Sequence, residues 1–336
     1  MKVWQIEKSF GLENLHQVDI PTPKLQSGQV LIKMAAASLN YRDLVTVAGA
    51  YGKTVKTPLI PCSDGVGYVV EAASDASRFS VGTRVCPIFF PDWITGPATP
   101  YVLPNALGGA YDGTLAQYMV VDEKNCVMAP DHLSDIEAAS LPCAALTAWS
   151  ALFEQAALNS SDCVVIQGTG GVALYALLFA KAVGAQVLIT SSSDKKLKRA
   201  KEMGADYAVN YYDSPSWLSE VKKIWPEGAD HIVELGGAQT LEQSIRAVRI
   251  GGHISLIGVL TGTNTSSIPL PLILMRNIRI QGVTVGSRSA FERMNDFITE
   301  HKLQPIIDRS FNFDEVPSAF KYLESGQHFG KVCIEF

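Results

Sequence analysis

The sequence has no Cys-x-x-Cys pair, no run of basic residues and no apolar stretch as long as a membrane span. Six cysteines, Cys62, Cys86, Cys126, Cys143, Cys163 and Cys333, lie scattered over 336 residues. That usage excludes a disulfide framework and predicts reduced, buried thiols, with Cys143 set apart below. A formal net charge of -5 without a basic patch argues against nucleic acid as a partner, because phosphate binding needs a basic face. The most apolar helical stretch, Val172 to Ala180, is cut off by Lys181, whereas a membrane span needs roughly 20 apolar residues. A soluble chain with no membrane partner and a cytoplasmic location is the expectation. The start, Met1 to Glu7, alternates apolar and polar like a strand rather than a signal peptide.

What is present is enough for two cores. Hydrophobic residues make up 47% and charged residues 18%, a globular balance, and the length suits two domains. Residues 1–125 read as β-rich: Val30–Met34, Gly67–Glu71 and Tyr118–Val121 look like strands, with Pro21, Pro23, Gly28, Pro58, Pro61 and Gly82 as punctuation. Residues 87–112 form a Pro/Gly-rich excursion too long for a simple connector. From 126 to 290 short apolar runs alternate with helical patterns: Cys163–Gln167, a helix from Val172 to Val183, Val187–Thr190, a helix from Lys195 to Met203, then Tyr207–Val209, His231–Glu234 and Ile254–Ile257. That alternation implies a parallel sheet covered on both faces. Helices over 290–300 and 316–325 and a strand at 331–334 are expected to return the chain to the first domain, so that 291–336 complete it and a cleft separates the two.

Between the run at 163–167 and the next helix stands Gly168-Thr169-Gly170-Gly171-Val172-Ala173. Gly168 allows a tight turn, Gly170 lets backbone approach a pyrophosphate, and the small Ala173 permits close helix–strand packing. The helix N-terminus then offers unpaired amides and a partial positive charge. A glycine motif alone is weak, but here it opens a strand–turn–helix–strand unit of the right length, which predicts a dinucleotide site. The second strand ends at Thr190-Ser191-Ser192-Ser193-Asp194. A hydroxyl at Ser191 with Lys196 one turn on suits a ribose phosphate, hence NADP. Alternatively Asp194 reaches the ribose, the lysines are a solvated face and the cofactor is NAD.

Ser38-Leu39-Asn40-Tyr41-Arg42-Asp43, Gly65-Val66-Gly67, Asp112 to Tyr118, Leu146-Thr147-Ala148-Trp149, Gly204-Ala205-Asp206 and Gly330-Lys331-Val332, with the glycine turn, resemble the medium-chain dehydrogenase/reductase superfamily over nearly the whole chain. The resemblance implies an α/β architecture: a GroES-like β-rich catalytic domain beside a Rossmann doubly wound parallel sheet. It also implies a homodimer paired through the strand around 278–283. The positions of the superfamily's catalytic zinc ligands fall on Asn40, Ser63 and Cys143. Two of the three are poor zinc donors, and 87–112 lacks the four cysteines of a structural zinc lobe, so no zinc is expected. Asp64 is the one nearby carboxylate that offers an alternative ligand. Asn40-x-x-Asp43 resembles the zinc-free quinone oxidoreductase and enoyl reductase branch, whereas Val85 to Phe89 looks more like the alcohol dehydrogenases.

By the same resemblance, Asn40 orients the nicotinamide or substrate, Thr147 contacts the nicotinamide end, and Tyr51 is the proton donor. Lys196, Tyr211, Gly258, Val285 and Lys331 lie where relatives meet the cofactor. Phe89 and Cys143 line the substrate pocket, with Phe90 and Trp93 as further wall. For Arg42, Asp43 and Arg288 a structural salt bridge is the first expectation and a polar network behind the pocket the alternative. Each of the other roles has a plain alternative: a lid or packing tyrosine, a helix cap, a surface lysine. Without zinc, the expected chemistry is NAD(P)H-dependent reduction of a quinone or an α,β-unsaturated carbonyl, small molecules whose developing oxyanion needs only hydrogen-bond donors. An alcohol dehydrogenase with an atypical metal and a non-catalytic nucleotide binder are the competing readings.

Overall fold

The computed structural model describes residues 1–51 and 55–336. The chain divides into two units, residues 1–146 with 285–336 and residues 147–284. The first unit therefore runs past the change of pattern expected at 126. The reason is local: strand Cys126–Met128 pairs with Arg84–Pro87, and helix Asp135–Ala139 packs on the same sheet.

In the first unit the long strand Gln29–Leu39 is the centre of a seven-stranded sheet. It pairs antiparallel with Asp64–Ala72, Tyr118–Asp122 and Lys331–Glu335. The last of these brings the C-terminal segment home, with Val332 opposite Leu39 and Cys333 opposite Ser38. Val3, Trp4, Ile6, Leu39, Phe320, Val332 and Ile334 share one core, and the Trp4 indole donates to Phe313 O at 2.6 Å. Residues 88–117 carry no helix and no strand of the sheet. They are held by packed rings, Phe89 against Phe90 and Phe90 against Trp93, and by Ile88 and Asp92 amides bonded to Asn125.

The second unit is a six-stranded parallel sheet ordered Tyr207–Asn210, Gln186–Ser191, Cys163–Gln167, Ala229–Glu234, Val248–Leu256, Arg279–Gly282. Val165, Leu188, Ile232 and Ile254 pack with Trp217, Val221, Leu241 and Ile245 of the helices Trp217–Ile224 and Leu241–Ala247. Their alternate neighbours Val164, Ile166, Val187 and Ile189 are equally buried, so both faces are covered, as the unbroken apolar runs require. Helix Gly171–Ala182 is apolar nearly all round and buries Leu174, Leu177 and Phe179. Numbered within the unit, the strand order is 3-2-1-4-5-6, the doubly wound Rossmann arrangement, with its reversal point between Cys163–Gln167 and Ala229–Glu234. Among the described residues no helix is long and apolar enough to cross a membrane.

The reversal point is fastened by a buried carboxylate. Glu234 Oε1 accepts from the amides of Gly236 and Gly237 and from Thr240 Oγ1, and Oε2 accepts from Gln167 Nε2 and Ser244 Oγ. Gln167 Oε1 in turn accepts from Leu235 and Gly236. Every partner donates, so an amide here sets donor against donor. Glu234→Gln is expected to cost about 2 kcal/mol in denaturant unfolding, and unchanged stability contradicts this account.

Candidate functional site

The glycine turn lies at that reversal point. Gly168 takes φ +78°, and a Cβ built on Gly168 or Gly170 meets nothing within 4 Å, so both face open space. Helix Gly171–Ala182 starts at Gly170 with no side chain capping its first amides. Those amides are the donors a pyrophosphate takes. Thr169 is buried within the turn and Val172 half-buried in the first helical turn. At the next strand end, the buried Ser191 Oγ accepts from the Ser193 amide, and Ser193 caps helix Asp194–Glu202. The Asp194 carboxylate accepts from Asn210 Nδ2 at 2.9 Å. Lys196 lies in the first turn of that helix, and Tyr211, 40% exposed, follows strand Tyr207–Asn210. Gly258 follows strand Val248–Leu256 so closely against its neighbour that a Cβ there falls 2.2 Å from Leu235 O. Thr147 is buried in helix Leu146–Trp149. These residues fit a dinucleotide.

In the first unit a second constellation gathers around Lys331. Asn40 opens helix Tyr41–Val47, and its amide donates to Asp43 Oδ2 at 2.7 Å, the return arm of a capping box. Lys331 Nζ, on a side chain 3% exposed, donates to Leu39 O at 2.8 Å and Asn40 Oδ1 at 2.6 Å, and lies 4.0 Å from Asp64 Oδ2. Asp64 accepts from Ser63 Oγ at 2.7 Å and from the Cys143 amide at 3.0 Å. Burial pushes the Asp64 carboxyl up, against the pull of Lys331. Burial also pushes Asp43 up to about 6, against the pull of Arg42. The Cys143 thiol is raised as well, by desolvation and then by the Asp64 charge.

This donor set does not fit a catalytic zinc. Ser63 gives its proton to Asp64 and Asn40 spends its carbonyl oxygen on Lys331, so two of the three positions carry poor zinc donors that are already engaged. The positive charge such a cage needs is already carried by an ammonium. Among the described residues no group of three or more His, Cys, Asp or Glu is placed to hold a metal ion.

Arg42 forms the wall beside the cage. Its guanidinium lies over the Tyr51 ring at 4.5 Å and over the Phe89 ring at 4.9 Å. Tyr51 is 38% exposed and Phe89 buried. Cys143, partly exposed, stands near enough to Arg42 to feel its charge. Asn40, Tyr51, Phe89, Cys143 and Lys331 thus converge in one unit. Arg288 does not join Arg42 and Asp43: it donates to Lys124 O at 2.9 Å and pairs with Glu292. Lys331 turns its ammonium into the cage through Leu39 and Asn40. Phe90 and Trp93 pack on each other within their lobe. Cys163, expected among the buried thiols, is partly exposed. Val285, buried and β-branched, takes φ +53°, a strained conformation that sequence alone gives no sign of. Nor does it signal the π-helical turns Leu141–Ala145, which holds Cys143, and Ser150–Glu154; such turns recur at functional sites.

Lys331→Met leaves Asp64 buried without its cation. The variant is expected to lose about 3–5 kcal/mol in denaturant unfolding. Parental stability in Lys331→Met contradicts the role given to the ammonium.

Residues 26–131 match the alcohol dehydrogenase GroES-like domain family and residues 171–300 the zinc-binding dehydrogenase family. A zinc-type alcohol dehydrogenase-like protein of Schizosaccharomyces pombe is 40% identical over 333 residues, 97% of this chain and 96% of that protein. The 2-methylene-furan-3-one reductase of Solanum lycopersicum is 30% identical over 99% of this chain and 79% of its own length. The crystal structure of a Sinorhizobium meliloti 1021 protein provisionally assigned as an alcohol dehydrogenase superposes with a TM-score of 0.94 at 40% identity, covering 100% of this chain and 98% of that one. With two matched domains, a full-length relative and the Rossmann order of its second sheet, the chain belongs to the medium-chain dehydrogenase/reductase superfamily and is an oxidoreductase of its NAD(P)-dependent kind.

Proposed function

We propose that this protein is an NADPH-dependent reductase of α,β-unsaturated carbonyls or quinones that works without zinc. The observation that carries the reading is the filled cage: Lys331 supplies the cation where the superfamily's metal ligands are replaced by Asn40 and Ser63. A relative whose name denotes a carbon–carbon double bond conjugated to a ketone supports it. The unit of residues 147–284 holds the cofactor and the other unit the substrate.

In this reading the amides at Gly168 to Val172 hold the pyrophosphate, Ser191 and Lys196 hold the ribose phosphate, and Tyr211 and Gly258 border the adenosine and nicotinamide ends. The bound nicotinamide supplies the hydride. Lys331 fixes the Asn40 carbonyl oxygen, and Asn40, whose Nδ2 also meets Ser38 O and Asp64, sets the substrate's orientation; in the cofactor's unit Thr147 serves the nicotinamide end. Phe89 and Cys143 give the substrate an apolar wall, and the Tyr51 phenol donates its proton as the carbonyl oxygen gains charge. Six unpaired cysteines support a reducing, cytoplasmic setting. The edge strand Arg279–Gly282 and the exposed Leu270, Leu274 and Met275 beside it support a homodimer paired through that edge.

A second reading, an alcohol dehydrogenase with an unusual metal site, draws on the proximity of Cys143 and Asp64 and on the alcohol dehydrogenases among the relatives. NADPH oxidation with a panel of enones, quinones and aldehydes separates the two. Metal-independent turnover of enones or quinones is expected, and aldehyde reduction that requires added metal overturns the proposal. Tyr51→Phe is expected to lower kcat on an enone by about 100-fold, and full turnover removes Tyr51 as the donor. Ser191→Asp is expected to lower the NADPH/NADH ratio of kcat/KM by about tenfold or more, whereas a parental enzyme that already prefers NADH defeats the NADP assignment. Sedimentation is expected to give a dimer, and a monomer alone refutes the edge pairing.

A further inference from the structure

Two cations stand in the first unit's cage, and they are not equally employed. Lys331 is committed to Leu39 O and Asn40 Oδ1. Arg42 is not. Its side chain is 9% exposed, its Nη1 donates to Leu107 O at 2.8 Å, and it has longer contacts with Asp43 Oδ1 at 3.4 Å and Gly108 O at 3.5 Å and a side-chain hydrogen bond with Tyr51. Its buried Nε has no hydrogen-bond partner. A buried guanidinium with an unspent Nε–H calls for an acceptor that comes and goes, since an unsatisfied buried donor is otherwise a standing cost.

The surroundings limit what that acceptor is. The guanidinium lies over the Tyr51 and Phe89 rings, which hold it in place beside its bonds to the carbonyls of Leu107 and Gly108. Asp43, its nearest carboxylate, is tied to the Asn40 amide and meets only Nη1, at 3.4 Å, so Nε is left without an acceptor. We propose that Arg42 is an oxyanion-binding residue of the substrate site, taking an anionic oxygen on an sp² carbon at the guanidinium edge that Tyr51 and Phe89 fix. This rests on the enone and quinone reading. There, reduced nicotinamide gives a hydride to the β-carbon, a C–H bond forms, the C=C π bond breaks, and its electron pair moves to the carbonyl oxygen. Arg42 stabilises that enolate oxygen, and a proton from Tyr51 or solvent completes the product.

The probe is 4-nitrophenolate, a stable oxyanion on an sp² carbon whose ionisation is read by absorbance. It is titrated against the parent protein with NADP⁺ present. The parent protein is expected to bind the ionised form in preference to the neutral phenol. Arg42→Met is expected to weaken the ionised form about tenfold or more while leaving the affinity for NADPH, read by its fluorescence, within about twofold. With cyclohex-2-enone, Arg42→Met is expected to lower kcat about 100-fold with little change in KM. A purely packing role predicts instead equal loss for ionised and neutral probe. If Arg42→Met does not fold, Arg42→Lys carries the test. An ammonium has no planar edge to offer beside the rings, and the ionised probe should weaken at least fivefold. Ionised binding as tight as the parent's in either variant overturns the proposal, as does a parent protein that shows no preference for the ionised form. A parent protein that binds the ionised probe through Arg42 but turns over no enone or quinone leaves the oxyanion site standing and removes the reading beneath it.

Discussion

A single lysine ammonium, sealed from water, organises the catalytic half of this protein. Lys331 is donated by the last strand of the chain to the carbonyl of Leu39, at the end of the sheet's central strand, and to the side chain of Asn40, which starts the helix carrying Arg42 and Asp43. A buried charge is tolerated only when paired and hydrogen-bonded. Asp64 meets the first requirement and two oxygens meet the second. The closure of the C-terminal segment onto the first unit and the orientation of Asn40 therefore depend on one group. In the proposed function the chemistry does too, with the ammonium in the place of a metal ion.

The cofactor half uses the same economy with the opposite sign. Glu234 is fully buried with five donors aimed at its two oxygens. It needs no cation because aligned amides and hydroxyls supply the compensation. The result is a rigid reversal point, with Gly236, Gly237 and Gln167 fixed next to the open space at Gly168 and Gly170. A site that holds a long dinucleotide gains from such pre-set geometry, since binding then orders less of the protein.

Much of this was legible from residue order, and the limit has a physical cause. The parallel strands and the glycine turn announce themselves locally: apolar runs such as Cys163–Gln167 and Val187–Thr190 need no distant partner to be recognised. The helix Tyr41–Val47 was legible in principle, because Asn40 with Asp43 three residues on is a capping signal, although that pattern drew notice only as a resemblance. What stayed hidden is contact across the chain. Lys331 meets Asn40 over 291 positions of sequence, and Arg42 meets Leu107 over 65. No periodicity encodes such pairs. Arg42 and Lys331 were legible as charged residues near a site, but the closure of the sheet decides which carboxylate each one faces, and it sends Arg288 elsewhere.

The claim that an ammonium replaces a metal is tested most directly by crystals of the parent protein grown with excess Zn²⁺ and measured at the zinc absorption edge. The account predicts no anomalous peak in the cage and continuous density from Lys331 Nζ to Asn40 Oδ1. An anomalous peak between Cys143 and Asp64, with the lysine displaced, contradicts it.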